Sequence, residues 1–209
     1  PTSFENATMQ ARENALCEAI ERYAWAKWWD EEKTKYLISN LDLLDRSYWG
    51  ESYSLVEKIK SILDIEQIIE INPKFTPYDD KELIILVAHI KNHGVVTGGA
   101  CGDRTVRAKT LARASGELFR HILAAKKILD QKATPASFYE KRLAYLFSSN
   151  GLKQFNNRVS IQGQNPIILP ELIIDEEIPH SYSEIVSVYR CLFKDQPPFV
   201  GGLLERMCL

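Results

Sequence analysis

No run of about 18 consecutive apolar residues occurs in this 209-residue chain, so no segment reads as a helix that crosses a bilayer. The given N-terminus also lacks a charged segment followed by an apolar one, so a soluble, cytoplasmic protein without membrane contact is the expectation. A basic footprint is missing too. Lys and Arg number 26 against 28 Asp and Glu, the net charge is −2, and the basic residues are scattered, so bulk nucleic-acid binding is disfavoured and no nucleic-acid partner is expected. Cysteine is sparse. Cys17, Cys101, Cys191 and Cys208 lie far apart with no C-x-x-C, which removes the usual zinc pattern and any disulfide framework and leaves reduced thiols. His89, His93, His121 and His180 include no H-E-x-x-H, which speaks against a zinc hydrolase.

A 45% hydrophobic content is present, and no composition shift or linker divides the chain, so residues 1–209 read as a single domain. The chain begins at Pro1 without an initiator Met, compatible with a processed or truncated product that lacks an upstream segment.

The most organised stretch is Ala11–Asp30. At about 100° per residue, Asn14, Glu18, Glu21, Arg22, Trp25 and Trp29 share one narrow arc. The rest of the circumference, with Leu16, Cys17, Ile20, Tyr23 and Trp28, is nearly all apolar. A polar stripe this thin predicts a helix mostly surrounded by protein. Two readings fit its charges: an internal pair of Glu18 with Arg22 four residues on, or a metal or phosphate site that neutralises the carboxylates.

Asn6 or Thr8 is a candidate N-cap for this helix, which ends near Trp29-Asp30 or runs to about Lys35. Leu37–Tyr53 reads as a short helix and loop, and Leu55–Leu63 as an amphipathic helix. Ile65–Ile71 reads as a strand, and Leu83–Ile90 as a strand covered on both faces. Asn92-His93-Gly94 then turns the chain into a returning strand at Val95–Thr97.

Gly98–Asp103 follows, read as a glycine-rich turn or as backbone amides facing an anion at a helix N-terminus. It matches neither G-x-x-x-x-G-K-[ST] nor G-x-G-x-x-G. Asp103 is the expected N-cap of a helix from about Arg104 to Asp130. On that helix Thr110, Arg113, Arg120 and His121 fall within about 60° of Glu117, a second carboxylate among cations on a thin stripe. Farther on, Phe138–Phe147 reads as an aromatic-rich helix ended by Asn150-Gly151, Gln162–Pro170 as a loop, and Leu169–Ile174 as a short apolar segment. Ser183–Phe193 fits a strand or a helix, and residues 196–202 form a turn-rich tail.

The run Ala15-Leu16-Cys17-Glu18-Ala19-Ile20-Glu21-Arg22-Tyr23 resembles the E-x-x-E-R helix of YcaO-domain proteins, with Trp28-Trp29 following. The glycine-rich segment and the Ala114-x-x-Glu117 helix are similar to the second signature of that family. The likeness runs loosely from Phe4 to Gly202. It implies a single α/β domain with a mixed sheet covered by long helices. It also implies an ATP-dependent enzyme that phosphorylates a peptide backbone amide oxygen, after which a Cys, Ser or Thr side chain or a sulfide donor attacks to give an azoline or a thioamide.

The resemblance further implies roles. Glu18, Glu21 and Glu117 would hold Mg²⁺, and Asn14, Arg22 and His121 would join them around ATP. A peptide is the implied substrate, with a separate recognition or accessory protein as partner, and a homodimer stays open. Departures are visible: Asn14 stands where the family has a serine, Arg120 or His121 where it has a glutamine, and the upstream and proline-rich C-terminal segments have no counterpart in this sequence. A catalytically inactive scaffold that keeps the fold is the alternative.

Overall fold

The structure is a computed structural model in which residues 4–41, 45–131, 135, 137–181 and 186–197 are described. Four strands, β1 (Tyr36–Leu41), β2 (Ile65–Pro73), β4 (Lys81–Ile90) and β5 (Val95–Asp103), form an antiparallel sheet in the order β1-β2-β4-β5. Among the described residues, parallel pairing is confined to the short ladder of β3 (Phe75–Thr76) with β6 (Ile167–Ile168) and a bridge of Thr34 with Asn165. A ribbon of β7 (Leu172–Glu177) with β8 (Tyr189–Phe193) packs against the first helix.

Strand alternation sorts the core into two layers. Leu83, Ile85 and Val87 of β4 face α1 (Phe4–Asp30), where Leu16, Ile20, Tyr23, Trp25 and Trp28 are buried. Ile84, Leu86 and Ala88 face the opposite way, onto α3 (Tyr53–Ile62) and α4 (Arg107–Gln131). Burial of both faces explains why the β4 sequence reads as an unbroken apolar run. The result is an α/β domain whose central sheet is covered by two long helices. Among the described residues no helix is long and apolar enough to cross a membrane.

Several expectations change. α1 starts at Phe4, so Asn6 and Thr8 lie inside it rather than capping it. Trp25, placed on the polar arc by angle, is fully buried. Part of Leu37–Tyr53 is strand β1, an exposed edge whose polar Ser39 and Asn40 hide the strand pattern, before Asp45 caps the short α2 (Arg46–Trp49). Asp42 lies outside the described residues. Gly151 does not end a helix. α5 (Phe138–Leu146) opens on a Ser137–Glu140 capping box, Ser148 caps α6 (Ser149–Ser160), and Gly151 sits in its first turn, where a Cβ would strike the Leu146 backbone. Within Ser183–Phe193 the strand is β8, while 183–185 and the tail from 198, with Cys208, lie outside the described residues.

The largest change concerns Gly98–Gly102, which continues β5 instead of turning. A Cβ on Gly98 would meet the backbone of Leu118, one on Gly99 the Trp25 ring, and one on Gly102 the Thr110 side chain. These glycines let α1 and α4 approach the strand from its two sides, the close-contact role of glycine in a strand interior.

Candidate functional site

Among the described residues β5 pairs only with β4, so the backbone groups along its other edge need partners from elsewhere. The two long helices supply them. From α1, Glu21 Oε2 accepts the Cys101 N–H (3.0 Å), and from α4, Glu117 Oε2 accepts the Gly99 N–H (2.7 Å). Arg113 donates to the Cys101 carbonyl (3.1 Å), and His121 Nδ1 donates to the Thr97 carbonyl (2.6 Å). Amides of this segment, read in the sequence either as part of a turn or as facing an anion, are therefore occupied by carboxylates belonging to the protein.

Outside these caps the helices diverge around a cavity of about 840 Å³. Asn14, Glu18, Glu21 and Arg22 line it from α1, Gly99 from β5, and Arg113, Gly116, Glu117 and Arg120 from α4. Five residues singled out in the sequence, Asn14, Glu18, Glu21, Arg22 and Glu117, are thus brought to one space. His121 is not among them. It is buried behind the cavity, 5.7 Å from the Tyr139 ring, and burial pushes its pKa down. Arg113 and Arg120 complete the lining, and their place on the Glu117 stripe was the signal for them.

Charge is unevenly matched across the cavity. Glu18 pairs with Arg22, and Arg120 approaches Glu117 to 4.0 Å. Glu21 is only partly offset. Burial first, then the Glu117 charge, raises its pKa from 4.5 to about 7, against the opposing pull of the Cys101 N–H and Arg113. Among the described residues no three His, Cys, Asp or Glu side chains converge closely enough to hold a metal ion by themselves. His89 and His93, four apart in sequence, stand in β4 and the following turn against Phe155 and Phe147, so they form no helical ligand pair.

Two further spaces adjoin the cavity. One of about 350 Å³ shares Asn14 and Arg113 and has Glu13, Cys17, Asp103 and Lys109 in its wall. The other, about 540 Å³, shares Asn14 and Glu18 and runs along Ala7, Ala11 and Ala15 beside Val186–Tyr189.

A second cluster of buried charge lies away from the cavity. Glu70 of β2 and Glu82 of β4 are both buried, and Arg107 reaches Glu70 at 2.6 Å and Glu82 at 2.5 Å. Tyr48 also donates to Glu70, and Asn72 donates to Glu82 (3.4 Å) while accepting from Lys74 (2.6 Å).

No family model and no curated protein matches the chain. Among solved structures, a chain of the E. coli microcin synthetase McbBCD complex is similar at 14% identity with a TM-score of 0.49, over 73% of this chain and 38% of that one. The chain thus spans well under half the length of that neighbour.

Proposed function

We propose that the cleft between α1 and α4 binds Mg-ATP, and that the protein uses it to activate a peptide backbone amide, as its resemblance to YcaO-domain proteins implies. The observation that carries this reading is one cavity of about 840 Å³ walled by Glu18, Glu21 and Glu117 together with Arg22, Arg113 and Arg120. Few ligands need both signs in one place; a metal-bound polyphosphate does. Mg²⁺ is usually held by one or two carboxylates with phosphate oxygens and water completing the shell, so a full protein cage is not required. The donor set fits. Glu21 carries an incompletely compensated charge beside Glu117 that a cation would relieve.

In this assignment Mg²⁺ would be held by carboxylates drawn from Glu18, Glu21 and Glu117 together with phosphate oxygens rather than by the three glutamates alone, and Arg22, Arg113 and Arg120 would meet phosphate, where the planar guanidinium fork is well suited. Asn14 contributes an amide at the cavity mouth. His121 acts through β5, fixing the strand edge by its bond to Thr97. When bound, ATP supplies the phosphoryl group that turns an amide oxygen into a leaving group; the protein's share is positioning and charge neutralisation. The product is an azoline or a thioamide, the substrate is a peptide, and a separate recognition protein is a natural partner.

A second reading rests on the bonds from Glu21 and Glu117 to the β5 amides, which make both glutamates structural caps in a non-catalytic scaffold. Calorimetry with Mg-ATP on the wild type and Glu21→Ala tests the site. Equal weak binding by both would remove the assignment. Incubation with ATP and candidate peptides, read by mass spectrometry, tests the chemistry. Any ATP-dependent loss of water or exchange of oxygen for sulfur rules out the scaffold.

A further inference from the structure

Among the described residues the four-stranded sheet ends in β5 on one side and β1 on the other, and the two edges are finished differently. Along β5, side chains of α1 and α4 bond the outward backbone groups. Along β1 the register decides which groups face out. Lys74 donates to the Lys35 carbonyl (2.9 Å) while Tyr36 stands opposite Pro73. In an antiparallel ladder this turns the backbone groups of Leu37, Ser39 and Leu41 toward β2 and those of Tyr36, Ile38 and Asn40 away from it. The Tyr36 carbonyl accepts from the Gln162 side chain (3.2 Å). Among the described residues nothing bonds to the outward N–H and C=O groups of Ile38 and Asn40.

The side chains of this stretch are uncovered and uncharged. Leu37 is 52% and Ile38 43% exposed, on opposite faces of the strand, and Ser39 and Asn40 are exposed beside them. Edges are usually guarded by charge, proline or a bulge, and β1 contains none of these. β7 differs, because it carries Asp175, Glu176 and Glu177, and an identical strand laid against it would set carboxylates opposite carboxylates. β1 lacks that barrier.

We propose that β1 is the interface of a homodimer, in which two copies pair their β1 strands antiparallel across a two-fold axis at Ser39. In that register Ile38 lies opposite Asn40 of the partner subunit, and the two exchange both of their backbone hydrogen bonds. Leu37 meets Leu41 of the partner subunit on one face, and no charged pair is created. A second copy is the occupant because this neutral strand is complementary to itself along its length. β1 and β5 lie at opposite edges of the sheet, so both clefts stay accessible and the inference is independent of nucleotide binding.

The test is sedimentation of the full chain from micromolar to submillimolar concentration, where a concentration-dependent dimer is expected. Ser39→Lys sets two ammonium groups opposite each other at the axis and leaves the backbone ladder to β2 in place, so the dimer should weaken at least about tenfold. Ser39→Cys sets two thiols in a non-hydrogen-bonded pair with Cα atoms about 4.5 Å apart, a separation that a disulfide spans. Mild oxidation should then give a covalent dimer, reversed by dithiothreitol and mapped to position 39, whereas Asn40→Cys should give none through position 40. A wild-type chain that sediments as a monomer throughout overturns the proposal, as does a dimer that Ser39→Lys leaves unchanged or one without a link through position 39. The cross-linking decides the question even if the lysine variant fails to fold.

Discussion

Glu70 and Glu82 at one place on the sheet, and Glu21 and Glu117 at its β5 edge, are the same residue type under different treatment. Around Glu70 and Glu82, Arg107 reaches both carboxylates, Tyr48 and Asn72 add donors, and Arg107 is itself held charged by the contact. Around Glu21 and Glu117 the strongest partners are neutral backbone N–H groups, and a cavity stands where a counter-ion would sit. The Arg107 cation offsets the charge of both carboxylates there, although the buried Glu82 Oε1 has no hydrogen-bond partner. A carboxylate that is bonded but not neutralised keeps an attraction for a cation, which is why the cleft and not the Arg107 cluster is the candidate site.

The largest effect should come from breaking the closed cluster. Arg107→Leu leaves two buried carboxylates without their cation and is expected to cost about 3–5 kcal/mol in urea unfolding. A loss under 1 kcal/mol would mean that the cluster is not the closed counterpart described here. Next is Gly99→Ala at the floor of the cleft. Its methyl would run into the Trp25 ring, with an expected cost of about 2–3 kcal/mol by the same measurement.

Glu21→Gln should act in the opposite direction. The folded pKa of about 7 lies above the ordinary 4.5, so between those values the folded state holds the proton that the unfolded chain has lost. The stability this contributes is present at low pH, declines as pH rises above 4.5, and is gone once pH passes about 7. Glutamine keeps an oxygen for the Cys101 N–H and has no proton to lose. The variant is therefore expected to gain roughly 2 kcal/mol over wild type at pH 8 and little at pH 5. An equal difference at both pH values would show that Glu21 is compensated as fully as Glu70. The smallest effect belongs to Glu18→Gln. Its pair with Arg22 is 57% and 42% exposed, and stability should move by no more than about 0.5 kcal/mol while Mg-ATP affinity falls.

Much of this arrangement was legible in the sequence because it follows helical geometry. The thin stripes of Ala11–Asp30 and of the Glu117 helix placed Asn14, Glu18, Glu21, Arg22 and Glu117 on single faces, and the structure turns those faces toward one cavity. The apolar run at Leu83–Ile90 also gave the central strand. What stayed hidden depends on contacts between elements. Gly98–Gly102 carries turn residues, and only the proximity of Trp25 and Leu118 shows why a strand needs them. The buried face of Trp25 follows from the same contact. His121 shared the stripe by angle, yet the helix tilts it onto Thr97 rather than into the cavity. The Glu70–Glu82–Arg107 cluster joins residues from three elements and left no local pattern.

The most direct measurement is a titration of the labelled protein with Mg-ATP, followed by amide NMR at Gly99 and Cys101 in the cleft and at Glu70 and Asn72 in the closed cluster. If Glu21 and Glu117 exchange their backbone partners for a cation, the Gly99 and Cys101 amides shift saturably while Glu70 and Asn72 stay in place. Unmoved Gly99 and Cys101 amides at millimolar Mg-ATP would contradict the account and leave the two glutamates as caps of a strand edge.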